Sequence, residues 1–226
     1  MELTKFQNFL IDSSLWTEGF AALIAIIYYQ RLKNTHWKYF IFYLVLIFLC
    51  ESFTKWCLDK IIFEDPNIER LKKSIFYNNF VFPLQFIFFY WLFAFKSLEK
   101  KKLFLAFSSI YLSSFIISIL FFKGSKIIYS FNYTLGCLLI MLLVIMEYYK
   151  QINSENILFF YKNKMFYINL GVTLFYIGTL PFYTFNSLLY YSNKEIWDIY
   201  YNYNLIACDF MYLLFTASFI WGKQSF

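Results

Sequence analysis

Charge is scarce in this sequence. Asp, Glu, Lys and Arg make up 15% of its 226 residues, with a net charge of +6; an ordinary soluble domain carries about 25%. Histidine occurs once, glycine six times, proline three times and cysteine four times. Each shortage excludes a chemistry. His36 stands alone beside Trp37 and Lys38, so no His-pair metal site, no HExxH motif and no buried Ser–His dyad can form. Cys50, Cys57, Cys137 and Cys208 make no C-x-x-C. Cys50 and Cys57 sit seven apart on one expected helix, too far for a disulfide. Cys50, Cys137 and Cys208 fall in apolar segments, where a thiol reads as small apolar filling. The glycines build no phosphate-cradling loop. A retinal Schiff base would need a lysine midway along the last apolar segment, and Lys223 stands at its end. No cofactor and no metal are expected. Nucleic acid is not an expected partner either, because no basic patch with interleaved aromatics occurs; the positive balance needs only anionic lipid headgroups.

What the sequence has in excess is apolar surface: 61% of residues are hydrophobic and 26% aromatic. One soluble core cannot hide that fraction. A soluble enzyme, a disordered tail and a secreted disulfide scaffold are excluded, and lipid becomes the expected solvent. A bilayer core of about 30 Å takes roughly 20 apolar residues per helix. Four runs without a charged residue meet that length: Ser74–Phe95, Leu103–Phe122, Ile127–Met146 and Met165–Asn193. Three more tolerate acids: Glu18 in the first, Glu51 with Lys55 in the second, Asp198 and Asp209 in the last. The expectation is an all-α polytopic bundle in a single domain, with seven spans near 13–30, 37–58, 74–95, 103–122, 127–148, 165–191 and 196–222. Trp16, Trp37, Trp56, Trp91, Trp197 and Trp221 all fall near the ends of these spans, at the headgroup level that indole prefers.

The residues left over are spread across tails and loops too short for a soluble domain. Any activity is therefore expected in the bundle, or in a partner that the bundle controls. Met1–Asp12 lacks the apolar core and cleavage site of a signal peptide, so the first span is expected to start insertion. Basic residues are densest in the short loops Arg31–Lys38 and Lys96–Lys102. The positive-inside tendency then predicts a multi-pass cell-membrane protein with its N-terminus outside and its C-terminus cytoplasmic. Two loops carry the pattern of short interfacial helices. In Glu64–Lys73, Asp65 would cap and Pro66 would open the helix. In Ser154–Tyr161 an apolar cluster follows a cap residue. Either loop lies on the membrane surface or docks a partner.

Polar groups at bilayer depth are the functional candidates, because an ionisable one costs at least about 2.5 kcal/mol there. Asp209 lies near the middle of the last span. Asn202, Asp209 and Thr216 recur every seven residues, with Asp198 and Tyr212 between, so these side chains share one face that reads as interior. Glu51 has Lys55 four residues on, which reads either as a self-neutralised pair or as a functional acid. Glu18 is close enough to a span end to reach the headgroups, and Glu147, followed by Lys150, reads as interfacial. The third span carries Asn78 and Gln85; the sixth carries Asn169, Thr173 and Tyr176. Pro83 and Pro181 remove backbone hydrogen bonds in these two spans and are expected to kink them. Interhelical hydrogen bonding, worth about 0.6–2 kcal/mol, or a shared polar pocket are the two uses open to these side chains.

Two functional classes follow. One is a receptor-like sensor or accessory signalling subunit, acting through a ligand or a membrane or cytoplasmic partner protein, with a second copy of the chain as a further candidate partner. The other is a small-solute or ion transporter, or a pore, that uses Asp209 and Glu51. An enzyme is not expected, because no nucleophile–base set occurs. The stretch Tyr200–Gly222 (YYNYNLIACDFMYLLFTASFIWG) resembles the small stand-alone seven-helix membrane proteins of A/T-rich bacteria. It is also similar to the membrane-embedded sensor halves of some histidine kinases. That resemblance implies a bacterial inner-membrane protein in signal transduction.

Overall fold

A computed structural model of the chain describes residues 4–58, 75–121, 127–154 and 157–222. Seven helices are long and apolar enough to cross a membrane, and no strand occurs among the described residues. α1 is Lys5–Ile27 and α2 is Trp37–Phe53, continued by a wide π turn at Thr54–Leu58. α3 runs through Tyr77–Ser97, α4 is Lys101–Phe121 and α5 is Ile127–Ile152. α6 starts as Lys164–Val172 and continues to Ser192, and α7 is Lys194–Ile220. The expected surface helix at Glu64–Lys73 lies outside the described residues.

α1 begins eight residues before the expected apolar span. The cause is a capping box: the Thr4 hydroxyl accepts from the Gln7 N–H at 3.1 Å, and the Gln7 side chain accepts from the Thr4 N–H at 3.0 Å. Trp16 consequently sits near the middle of α1, fully outward, rather than near its end. α6 and α7 start in the same local way. The Asn163 side chain accepts from the Met165 N–H, and the Asn193 side chain from the Ile196 N–H.

α7 packs most extensively on α1 and α6, α1 also on α2, and α5 on α4 and α6. α3 fills the centre against α5, while α4 stays at the edge, with 17% of its apolar stretch buried. The outward surface is apolar: Leu23, Phe42, Leu49, Ile116, Leu142 and Leu188 are all exposed. So large an apolar surface is stable facing acyl chains and not water.

The core is aromatic. Phe40 packs edge-on against Phe215 at 5.3 Å, and Tyr43 stacks on Phe88 at 4.1 Å. Gly136 on α5 lets α3 come close: a Cβ there would lie 2.7 Å from the Phe86 ring, and the Tyr90 hydroxyl donates to the Gly136 carbonyl at 3.1 Å. The two proline-bearing spans are built alike. π turns at Tyr77–Val81 and Thr173–Ile177 precede Pro83 and Pro181. A proline cannot donate to the carbonyl four residues back, and the widened turn before it makes room for the ring. Between α5 and α6, Ile157–Lys162 forms a short 3-10 helix with Leu158, Phe159 and Phe160 exposed.

Candidate functional site

One end of the bundle holds a cavity of about 550 Å³, within the usual size of small-molecule sites. It lies between α1, α2, α3, α6 and α7, at the end that carries the chain's N-terminus. Each helix contributes residues at helical spacing. α1 gives Ile11, Ser14, Leu15 and Glu18; α2 and its π turn give Glu51, Thr54 and Lys55. α3 gives Tyr77, Val81 and Gln85; α7 gives Tyr201, Asn204, Cys208 and Tyr212. Phe175 and Tyr183 of α6 close the wall. The π turns of α3 and α6 place Tyr77, Val81 and Phe175 on the lining.

The carboxylates are the unusual groups. Glu18 is 6% exposed, and its Oε2 is buried without a hydrogen-bond partner. Glu51 accepts a hydrogen bond from the Tyr77 hydroxyl. Two sequence readings are corrected here. Glu51 does not pair with Lys55, because the Lys55 ammonium reaches back to Asp12 on α1 at 2.5 Å. Glu18 does not extend to the headgroups, because the face of α1 that carries it packs inward on α7 and α2. Gln85 accepts from the Tyr176 hydroxyl at 3.2 Å. Tyr176 thus supports the lining from a layer deeper.

Asp209 takes a different position from the one expected of a coupling acid. It accepts from Ser13 at 2.7 Å and from Thr17 at 3.0 Å, both on α1, and it is not on the cavity wall. Asp198 likewise accepts from Gln7 at 3.2 Å. The α7 stripe is therefore interior, as its spacing implied, but its acids form a polar seam with α1. Of that stripe, Tyr212 faces the cavity. The Thr216 hydroxyl bonds back to the Tyr212 carbonyl within α7. Asn202 and Asn78 lie off the wall, as does Asn169, which is wholly buried with both amide atoms unpartnered.

Toward the opposite end lie an apolar pocket of about 480 Å³ between α2 and α3, lined by Tyr39, Phe42, Tyr43, Phe88 and Trp91, and a buried polar cluster. Glu147 is buried rather than interfacial, which corrects the sequence reading: Ser97 donates to it at 2.6 Å and Gln151 at 3.0 Å. Lys150 donates to the Ser97 carbonyl at 2.6 Å. The buried Lys164 donates to the Gly222 carbonyl and to that of Ser218 at 3.5 Å. It thereby satisfies the C-terminal end of α7 and complements its dipole. In the adjoining loop, burial and the nearby Lys96 hold His36 below the usual imidazole range, so it is neutral at pH 7.

Sequence reasoning singled out Glu51, Gln85 and Tyr212 of the lining, read Glu18 as reaching the headgroups and did not name Tyr77. A signal for Glu18 was present: Gln7, Ser14 and Glu18 lie at intervals of seven and four on α1, the same spacing that exposed the α7 stripe. Comparison with protein-family models, curated proteins and solved structures finds no match. The fold itself defines the class: an integral, multi-pass membrane protein, an all-α bundle of seven helices whose apolar faces meet the lipid bilayer.

Proposed function

We propose that the chain is a receptor-like membrane protein, without a catalytic step of its own, that binds a small molecule in the cavity and passes occupancy to a signalling partner. The observation that supports this reading is the position of the cavity. The cavity lies toward the N-terminal end, and beneath it the buried rings of Phe89, Tyr176 and Phe215 pack together. With the N-terminus outside, as the basic loops argue, the ligand arrives from outside the cell. α3 and α6 border the cavity through π turns beside prolines. Ligand contact with Tyr77 or Phe175 would alter those turns and so the packing at the opposite end.

A second reading, a small-solute carrier, is favoured by the same pair of interrupted helices, both of which border the cavity. Cys208 distinguishes the two, because it lines the cavity and is partly accessible. With Cys50, Cys57 and Cys137 replaced by alanine, an impermeant trimethylammonium-ethyl thiosulfonate is added to right-side-out and to inside-out vesicles. A receptor is labelled at Cys208 from one face only. Labelling from both faces would establish alternating access and overturn the receptor reading.

A further inference from the structure

The cavity holds formal charge that the described residues do not neutralise. Among them Lys55 is the one lysine on the wall, and it is already paired with Asp12 at 2.5 Å. Neither Glu18 nor Glu51 has a Lys, Arg or His at ion-pair distance among the described residues. The two carboxylates are close enough to interact electrostatically. An unpaired buried carboxylate is among the costliest groups a fold can carry, and in lipid few solvent molecules relieve it.

Three hydroxyls on the wall are already engaged. The Ser14 hydroxyl is spent on the Leu10 carbonyl at 3.0 Å, that of Thr54 on the Cys50 carbonyl at 2.9 Å, and that of Tyr77 on Glu51. The buried wall atoms left without a partner are acceptors, Glu18 Oε2 and Asn204 Oδ1. Around them stand the rings of Phe82, Phe175, Tyr183 and Tyr201, whose faces attract cations. The complement to acceptors, negative charge and aromatic rings is a cation that donates hydrogen bonds. A chelated metal ion fits less well, since no group of three His, Cys, Asp or Glu side chains converges among the described residues and a hard divalent ion takes six or more oxygens.

We propose that the cavity binds a small organic ammonium ion, its N–H groups on Glu18, Glu51 and Asn204 and its carbon skeleton against the aromatic wall. This rests on the reading of the cavity as a ligand site. It further explains why two glutamates are kept at bilayer depth without a basic residue to match them.

The test uses the Cys208 thiol as a reporter inside the site. In the background lacking the other cysteines, its modification rate is measured with three ethyl thiosulfonates that differ in the tail: trimethylammonium, hydroxyl and sulfonate. Each rate is divided by that of a free small thiol in solution. The thiolate fraction of Cys208 affects all three alike and cancels in their ratio. The proposal expects the cationic reagent to be favoured over the anionic one by about tenfold or more, the scale of one buried charge at short range. Glu18→Gln and Glu51→Gln should each bring the ratio toward one. A ratio near one in the wild type, with the neutral reagent still reacting, would overturn the ammonium assignment and leave the cavity as a site for an uncharged ligand. A bias that neither substitution reduces would overturn it too, by removing the two carboxylates as its source. Failure of all three reagents to reach Cys208 would instead sink the reading of the cavity as a ligand site.

Discussion

Glu18 and Glu147 are both buried glutamates in apolar helices, at opposite ends of one bundle, and their surroundings differ. Glu147 receives hydrogen bonds from Ser97 and Gln151, and Lys150 binds Ser97 beside it. Around Glu18, Oε2 has no partner, and the Cys208 thiol reaches Oε1 only at 4.0 Å. A polar network with its bonds satisfied locks helices together, whereas a half-satisfied one is costly unless something outside the chain completes it. Glu147 thus reads as structure and Glu18 as part of a site. Three substitutions test that difference by thermal unfolding in detergent.

Glu147→Ala should have the largest effect, a loss of about 2 kcal/mol, because Ser97 and Gln151 lose their acceptor in a buried place. Asp209→Asn comes next. It weakens the Ser13 and Thr17 bonds of the α1–α7 seam and should cost about 0.6 kcal/mol, the usual worth of an interhelical hydrogen bond in a membrane. Glu18→Gln should cost least, with an unchanged or raised unfolding temperature, since it removes an unpartnered carboxylate. If Glu18→Gln destabilised as strongly as Glu147→Ala, the distinction between the two glutamates would collapse. A Glu147→Ala protein as stable as the wild type would do the same from the other side.

The bundle was largely legible because hydrophobicity is local. A run of 20 apolar residues crosses a bilayer whatever its neighbours are, so seven spans could be counted without any tertiary knowledge. The interior face of α7 was legible for a similar reason, since residues seven apart share a face in any helix. Partners were another matter. Lys55 four residues after Glu51 is a sound local pairing, but Asp12 and Tyr77, brought from α1 and α3, took the two ends of that pair apart. Glu147 near Lys150 looked interfacial until α3 placed Ser97 against it. The prolines announced irregular helices; that π turns before them would line a cavity depended on which helices face each other.

From its own composition and spacing, then, the chain determines that it lives in lipid, that it crosses seven times and that little charge enters with it. Those properties add up residue by residue along the helix. Whether an intramembrane carboxylate is satisfied or left open is not such a property. It is set by donors and charges on helices far apart in the chain, so only the packed bundle decided that Glu147 and Asp209 hold helices together while Glu18 and Glu51 face a cavity.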